Sequence, residues 1–151
     1  MRITKENIHE FIDGTKMYCS GMNITKIDFI PYHITRIECG FNKLTELPKL
    51  PDGLIQLNCD GNKLTSLPKL PESLKDLSCF NNRLTELPKL PESLIYLYCR
   101  SNRLTELPKL PDRLTNLNCR NNNLPYTITI DNYKEHNKLI KRKEILSRIC
   151  V

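Results

Sequence analysis

The sequence has no long hydrophobic run. No apolar stretch approaches the roughly 20 residues that a transmembrane helix needs. The N-terminal segment MRITKENIHEFIDG is charged throughout and lacks the apolar core of a secretory signal. With 39% apolar and 26% charged residues, the composition is that of a globular chain. We therefore expect a soluble, intracellular protein that makes no membrane contact and is not exported through a signal peptide.

Glycine and histidine are scarce, and this bears on catalysis. The chain contains only five glycines, so it has no glycine-rich loop that could hold a phosphate group. His9, His33 and His136 are scattered, and no motif combines a nucleophile, a base and an oxyanion site. The sequence therefore predicts a protein that is not an enzyme and that uses no cofactor.

Closely spaced cysteine pairs are also missing. Six of the seven cysteines recur every 20 residues, at Cys19, Cys39, Cys59, Cys79, Cys99 and Cys119. Zinc sites use short pairs such as CxxC, whereas a constant long interval is a repeat period. A stack of thiols that binds metal or senses redox state is the alternative. We instead expect small buried hydrophobic side chains without a metal, in a reducing compartment.

The sequence contains a 20-residue repeat. Its clearest unit is LKDLSCFNNRLTELPKLPES, which gives the pattern LxxLxCxxNxLTxLPxLPxx. Five full repeats, at 14–33, 34–53, 54–73, 74–93 and 94–113, precede a degenerate sixth that begins at 114. This pattern matches the leucine-rich repeat signature LxxLxLxxNxL, with cysteine in one aliphatic position.

The repeat pattern predicts the local structure of each turn. Alternation at Leu57 and Cys59 puts both side chains on the inner face of a short strand, and stacked turns then form a parallel sheet. The asparagine after each strand, such as Asn62, can bond the backbone of adjacent turns. Two prolines in the return segment, such as Pro68 and Pro71, exclude a helix there. We predict a curved solenoid with a concave parallel sheet and an extended, polyproline II-like convex side.

Both ends of such a solenoid need covering, because they expose apolar core and strand edges. At the front, residues 1–13 are predicted to form a capping helix, since Ile8, Phe11 and Ile12 have helical spacing and Thr4 can cap it. The solenoid is assigned to 14–130. Residues 131–151 are predicted to form a second capping helix with a basic outer face, in which Cys150 is a buried cap residue. Its apolar side, which would cover the core, consists of Leu139, Ile140, Ile145, Leu146 and Ile149.

The LPxLP return and the 20-residue period resemble the LPX-type leucine-rich repeats of bacterial type III effectors. The full pattern LxxLxCxxNxLTxLPxLPxS is also similar to leucine-rich repeat proteins of giant (mimivirus-like) viruses. Both resemblances imply a protein that binds another protein, plausibly a host protein in the host cytoplasm, through its concave face. The ubiquitin-ligase domain of some effectors is not implied, because about 27 residues after the last repeat are too few for it.

The variable strand positions and those just after each strand are predicted to face the concave surface. Aromatic residues and arginines dominate binding hot spots. The predicted partner-binding residues are therefore Arg36, Phe41, Phe80, Tyr96, Tyr98, Arg100, Asn118 and Arg120. The alternative is that these side chains form cross-strand pairs that only stabilise the sheet.

The net charge of +6 raises nucleic acid as a partner. Residues 131–151 hold six Lys and Arg against three Asp and Glu, so they carry +3 and the repeats carry the other +3. Weak nucleic acid binding through Lys141, Arg142 and Lys143 of the basic C-terminal helix is therefore one alternative, and a structural or self-associating role is another. We favour a monomer with one protein partner.

Overall fold

Seven short strands form one sheet whose order follows the chain. The computed structural model describes residues 1–149. The sheet strands are β2 (Ile12–Asp13), β3 (Lys16–Tyr18), β5 (Arg36–Glu38), β6 (Gln56–Asn58), β7 (Asp76–Ser78), β8 (Tyr96–Tyr98) and β9 (Asn116–Asn118). From β3 onward every pair is parallel, and partners lie 20 residues apart, as Leu57 and Leu77 do. The predicted solenoid with one turn per repeat is confirmed.

The hydrophobic core consists of columns of identical side chains. Leu57, Leu77 and Leu97 are completely buried on the inner face of their strands. All six repeat cysteines are buried beside them with free thiols, which confirms their predicted packing. Burial disfavours the thiolate, so it raises the pKa of Cys19 to about 12 and that of Cys59 well above its ordinary value.

The predicted asparagine ladder is confirmed. The Asn62 side chain donates to the carbonyls of Cys39 and Cys59, both at 3.1 Å, and accepts a bond from the Leu44 amide at 2.9 Å. Asn82 repeats this arrangement one turn later. Each ladder asparagine therefore joins two turns at a bend where the backbone would otherwise lack partners.

The return segments contain no helix between residues 14 and 132. In each segment the two leucines of the LPxLP motif, such as Leu67 and Leu70, are buried against the core. The second proline also fixes the next bend, where the Leu74 amide donates to the Pro71 carbonyl at 3.1 Å. The predicted absence of convex helices is thus confirmed for the described repeats.

The predicted N-terminal helix is wrong. β1 (Arg2–Ile3) instead pairs in parallel with β4 (Lys26–Ile27) in the first return segment. Ile12–Asp13 pairs antiparallel with Lys16–Met17 through a turn at Gly14. Only a four-residue 3₁₀ turn, Ile8–Phe11, remains between these strands. Because a 3₁₀ turn has a period of three residues, it still buries Ile8 and Phe11. The residues on either side form strands instead of helix, because they pair with backbone groups of the first repeat that would otherwise be unpaired.

The C-terminal helix, α1 (Tyr133–Ile149), is present, but only its first two turns pack on the solenoid. The buried His136 ring lies 3.1 Å from the Leu107 carbonyl, and the Asn137 side chain bonds the backbone of Leu110. The expected burial of Leu139, Ile145 and Leu146 is wrong, because these side chains are exposed. The helix face that packs on the solenoid instead carries Tyr133, His136, Asn137 and Ile140, which have helical spacing. The prediction for Cys150 lies outside the described residues.

Candidate functional site

Two surfaces carry side chains that change from turn to turn. The first, which we call the sheet face, consists of the outward side chains of β3 and β5–β9. The second, which we call the strand-end rim, consists of residues 40–41, 60–61, 80–81, 100–101 and 120–121. Inward leucines alternate with outward variable residues along each strand, and this alternation holds the variable side chains on a rigid ladder. All eight predicted partner-binding residues lie on one of these surfaces.

Three predicted residues from three different turns meet on the strand-end rim. The rings of Phe41 and Phe80 lie edge to face, with centroids 6.2 Å apart and planes at 71°. The Arg100 guanidinium lies 4.6 Å from the centre of the Phe80 ring, within cation–π distance. Phe41 is nevertheless 61% exposed, so this aromatic–arginine cluster (Phe41, Phe80 and Arg100) is ordered by its own contacts and remains open to solvent.

The backbone aims Phe41 along the rim. Its φ is +55°, a value that the corresponding Asn81, Ser101 and Asn121 share, and this conformation disfavours a bulky side chain. The next residue in the column is Gly61, and a Cβ atom there would lie 2.7 Å from the Phe41 ring. Glycine at position 61 therefore gives the ring room to lie across the rim toward Phe80.

A buried carboxylate lies beside this cluster. Asp60 is 3% exposed and accepts bonds from the Ser78 hydroxyl at 2.7 Å and from the Phe80 amide at 2.9 Å. Desolvation disfavours the charged form and raises the pKa of Asp60 to about 6, against the opposing effect of these two hydrogen bonds. Asp60 thus holds the backbone on which the Phe80 ring is mounted.

The two predicted tyrosines lie on β8 without aromatic neighbours in register. Tyr96 stands between Asp76 and Asn116, and Tyr98 stands between Ser78 and Asn118. Tyr96 is 38% exposed. Cross-strand aromatic stacking, the alternative explanation for these side chains, therefore has no aromatic partner in the neighbouring strands. Stacking does apply to Phe41 and Phe80.

Charge differs between the first and second halves of the repeat array. In the first half, Arg36 pairs with Glu38 at 2.8 Å, and desolvation together with Glu38 raises the pKa of Asp76. In the second half, Arg100 and Arg120 are exposed at successive rim positions. Tyr96, Tyr98 and the Phe80–Arg100 pair follow Asp76 and precede Arg120, whereas Phe41 lies in the first half.

Two of the predicted partner-binding residues, Arg36 and Asn118, already make hydrogen bonds within the chain. Arg36 is engaged by Glu38 through two guanidinium nitrogens. The Asn118 side chain accepts a long bond from the Arg120 amide at 3.4 Å. Gly61 was not predicted as a site residue, although it is one of two glycines, with Gly21, in a column that otherwise holds phenylalanine, asparagine and serine.

A second exposed aromatic group was also missed, on the return side. Tyr32 is 88% exposed and, with Phe29, lines a groove of about 310 Å³ against Pro48 and Pro51. Tyr32 and His33 pack edge to face, and no aromatic from another turn joins them within the described chain.

Over residues 1–149 no group of three His, Cys, Asp or Glu side chains is placed to hold a metal ion. None of the helices among these residues is long and apolar enough to cross a bilayer.

Comparison with known proteins places these features in a structural class. No protein-family model and no curated protein matches the chain. Among solved structures, a Shigella effector leucine-rich repeat domain is 34% identical, with a TM-score of 0.75 over 84% of this chain. YopM from Yersinia enterocolitica is 37% identical with a TM-score of 0.71, and the leucine-rich effector YopM from Yersinia pestis is 34% identical with a TM-score of 0.69. Each of these two alignments covers 72% of this chain.

The alignments span less than two thirds of the three matched chains, namely 57% of the Shigella domain, 24% of the first YopM and 31% of the second. They do not show the resemblance to giant-virus proteins. On its repeat register, its sheet and these matches, the chain is a leucine-rich repeat solenoid that resembles the repeat domains of bacterial effector proteins.

Proposed function

We propose that the chain is a non-catalytic binding module that holds a protein partner, plausibly a host protein, on its sheet face and strand-end rim. The observation that carries the proposal is the aromatic–arginine cluster. Exposing a phenylalanine ring to water is unfavourable, so an exposed Phe41 needs an explanation. Contacts among three turns hold this ring in one orientation. Aromatic and arginine side chains contribute most of the energy at protein interfaces, and groups that are ordered before binding lose less entropy.

The same surface favours a partner with two kinds of groups. Apolar side chains of the partner would pack on Phe41, Phe80 and the Tyr96 ring. Acidic groups would meet Arg100 and Arg120, which have no salt-bridge partner among the described residues. The pairing of Arg36 with Glu38 makes the opposite half less attractive for such groups, so the contact should centre on repeats four and five.

Affinity capture from a eukaryotic cell lysate tests the proposal, with three forms of the protein as bait. The wild type should retain a specific protein, and the double variant Tyr96→Ala and Tyr98→Ala should lose it. Tyr32→Ala is the matched control, because it removes an exposed tyrosine from the return side. All three baits should show the same circular dichroism spectrum.

The affinity for the captured protein should then be measured with Phe41→Ala and Arg100→Ala. We expect each to weaken binding by about tenfold or more, the effect of losing one hot-spot residue. Equal binding by the wild type, the double tyrosine variant, Phe41→Ala and Arg100→Ala would exclude the sheet face and the strand-end rim as the binding site.

A further inference from the structure

Arginine side chains gather on one side of the last three turns. From repeat four onward, the positions on and just after the strand-end rim hold Arg83, Arg100, Arg103 and Arg120, which we call the arginine patch. All four are exposed, and none forms a salt bridge with a described residue. Residues 80–83, 100–103 and 120–123 contain no aspartate or glutamate. The patch therefore carries four positive charges without a carboxylate in the same segments.

The backbone of adjacent turns holds these arginines in two parallel columns. The first column is Arg100 and Arg120, and the second is Arg83 and Arg103. The first is fixed by the bond from the Ser101 amide to the Arg120 carbonyl, and the second by the bond from the Arg103 amide to the Leu84 carbonyl, both at 2.9 Å. Adjacent strands of a sheet lie about 5 Å apart, so neighbouring arginines of one column can contact the same small anion.

The first half of the repeat array lacks this arrangement, although its backbone repeats in the same way. The same two columns there hold Gly40, Lys43, Asp60 and Lys63. The second column thus changes from lysine to arginine in the turns where the rim gains its own arginines. Lysine would keep a surface equally charged, so this change indicates a need for the guanidinium group.

The guanidinium group selects the kind of anion that the patch prefers. Its planar fork donates two parallel hydrogen bonds to a carboxylate or a phosphate. A phosphorylated side chain carries a charge of roughly −1.5 to −2 near pH 7 and three acceptor oxygens. It can therefore bind guanidinium groups from two turns at once, whereas a carboxylate has a single charge and two oxygens. Four clustered arginines match the phosphate better.

We propose that the arginine patch binds a phosphorylated side chain of the protein partner. The inference rests on the proposed function, since it names the chemical group through which the partner is recognised. Arg100 belongs both to the patch and to the aromatic–arginine cluster, where it lies 4.6 Å from the centre of the Phe80 ring. Apolar residues next to the phosphorylated one would therefore pack on Phe80.

Nucleic acid, another source of phosphate groups, fits this surface less well. Glu86 and Glu106 follow Arg83 and Arg103 by three residues along their turns, and both are exposed. A DNA duplex carries one negative charge about every 1.7 Å of its axis, so its further phosphates would approach these carboxylates. A single phosphorylated side chain is compact enough to avoid them.

Fluorescence anisotropy with synthetic peptides tests the inference on the full chain. The probes have phosphoserine, phosphothreonine or phosphotyrosine at the centre of a degenerate sequence, and each has an unphosphorylated counterpart. The wild type should bind at least one phosphorylated probe about tenfold or more tightly than its counterpart. The double variant Arg83→Gln and Arg103→Gln should lose most of this preference, because it removes the second arginine column.

The matched control carries Lys43→Gln and Lys63→Gln, which remove two charges from the same column in the first half, and it should bind like the wild type. All four substituted side chains are exposed, so thermal unfolding should be the same in both variants. No preference for phosphorylated probes in the wild type, or equal losses in the two variants, would overturn the inference. Tighter binding of a single-stranded oligonucleotide than of every phosphorylated peptide would also overturn it, in favour of nucleic acid.

Phosphatase treatment of the lysate separates this inference from the proposed function. The treatment should abolish capture of the partner by the wild type. A protein that is captured equally before and after the treatment would support the proposed function and overturn the phosphate inference.

Discussion

The interior of the solenoid and its strand-end rim contrast within the same turns. Inside, the leucine, cysteine and asparagine columns repeat with almost no change, and Asn62, Asn82 and Asn102 each accept a bond from the leucine amide 18 residues earlier. On the rim, the corresponding positions hold glycine, aspartate, phenylalanine and arginine in succession. The contrast teaches that identity along a column marks structure, and that variation on a rigid ladder marks the surface available for recognition.

The largest effect is expected in the interior. Asn82→Ala leaves the Leu64 amide without its acceptor and removes one of the two asparagine donors from each of the Cys59 and Cys79 carbonyls. We expect the free energy of unfolding to fall by about 3–5 kcal/mol, because a buried amide loses its partner and the side-chain bonds that join two turns are lost together. Urea unfolding measures this loss. Asn116→Ala, which trims an exposed asparagine, is the control and should cost under about 0.5 kcal/mol. Equal losses at the two positions would remove the distinction between interior and surface.

A smaller effect on the free energy of unfolding is expected from Asp60, which occupies a rim position but is buried. Its pKa is raised to about 6 in the folded state, above its ordinary value of 3.8, so the folded protein binds this proton more tightly than the unfolded chain. The resulting stability is fully present below about pH 4 and is lost as the pH rises through about 6. The loss should be about 1–3 kcal/mol.

Chemical unfolding of the wild type and Asp60→Asn at pH 4 and pH 7 isolates this contribution as the difference between the two proteins. As the pH rises, the free energy of unfolding of the wild type should fall relative to that of Asp60→Asn. Asp112→Asn, which removes an exposed carboxylate, should keep the wild-type change between the two pH values. A difference that does not vary with pH would show that Asp60 is not desolvated.

Gly61→Ala should have an intermediate effect, because the added Cβ atom meets the Phe41 ring at 2.7 Å. The ring must rotate away from Phe80, and we expect a loss of about 1–2 kcal/mol in the free energy of unfolding. Thermal unfolding and the ring proton shifts of Phe41 and Phe80 report the change. Asn121→Ala has the same positive φ without a following turn for its side chain to cross, and it should leave those shifts unchanged.

The smallest change in stability is expected for the double variant Tyr96→Ala and Tyr98→Ala. Because both side chains point outward, the loss should stay below about 1 kcal/mol. Leu97→Ala, the inward residue between them, should cost about 2–5 kcal/mol. Denaturant titration of the two variants compares the faces of one strand. A tyrosine loss as large as the leucine loss would favour the alternative in which the tyrosines stabilise the sheet.

The sequence alone determined the architecture of the repeats. The 20-residue period, the alternation at Leu77 and Cys79 and the column of Asn82 each follow from short-range pattern, and repetition reinforces the pattern in every turn. The buried cysteines and the helix-free return were predictable for the same reason. The partner-binding role of the sheet face stays a prediction from sequence.

Only the tertiary structure decided the ends and the rim. The spacing of Ile8 and Phe11 fits a helix, but the flanking residues form strands because they pair with the otherwise unpaired backbone of the first turn. Leu139 and Ile145 were expected on the buried face of the helix, yet both are exposed, and the helix packs through Tyr133 and His136. Phe41 meets Phe80 and clears Gly61 only because stacking brings different turns together. Local pattern encodes what each turn repeats, whereas these contacts depend on where the stack begins, where it stops and which side chains it aligns.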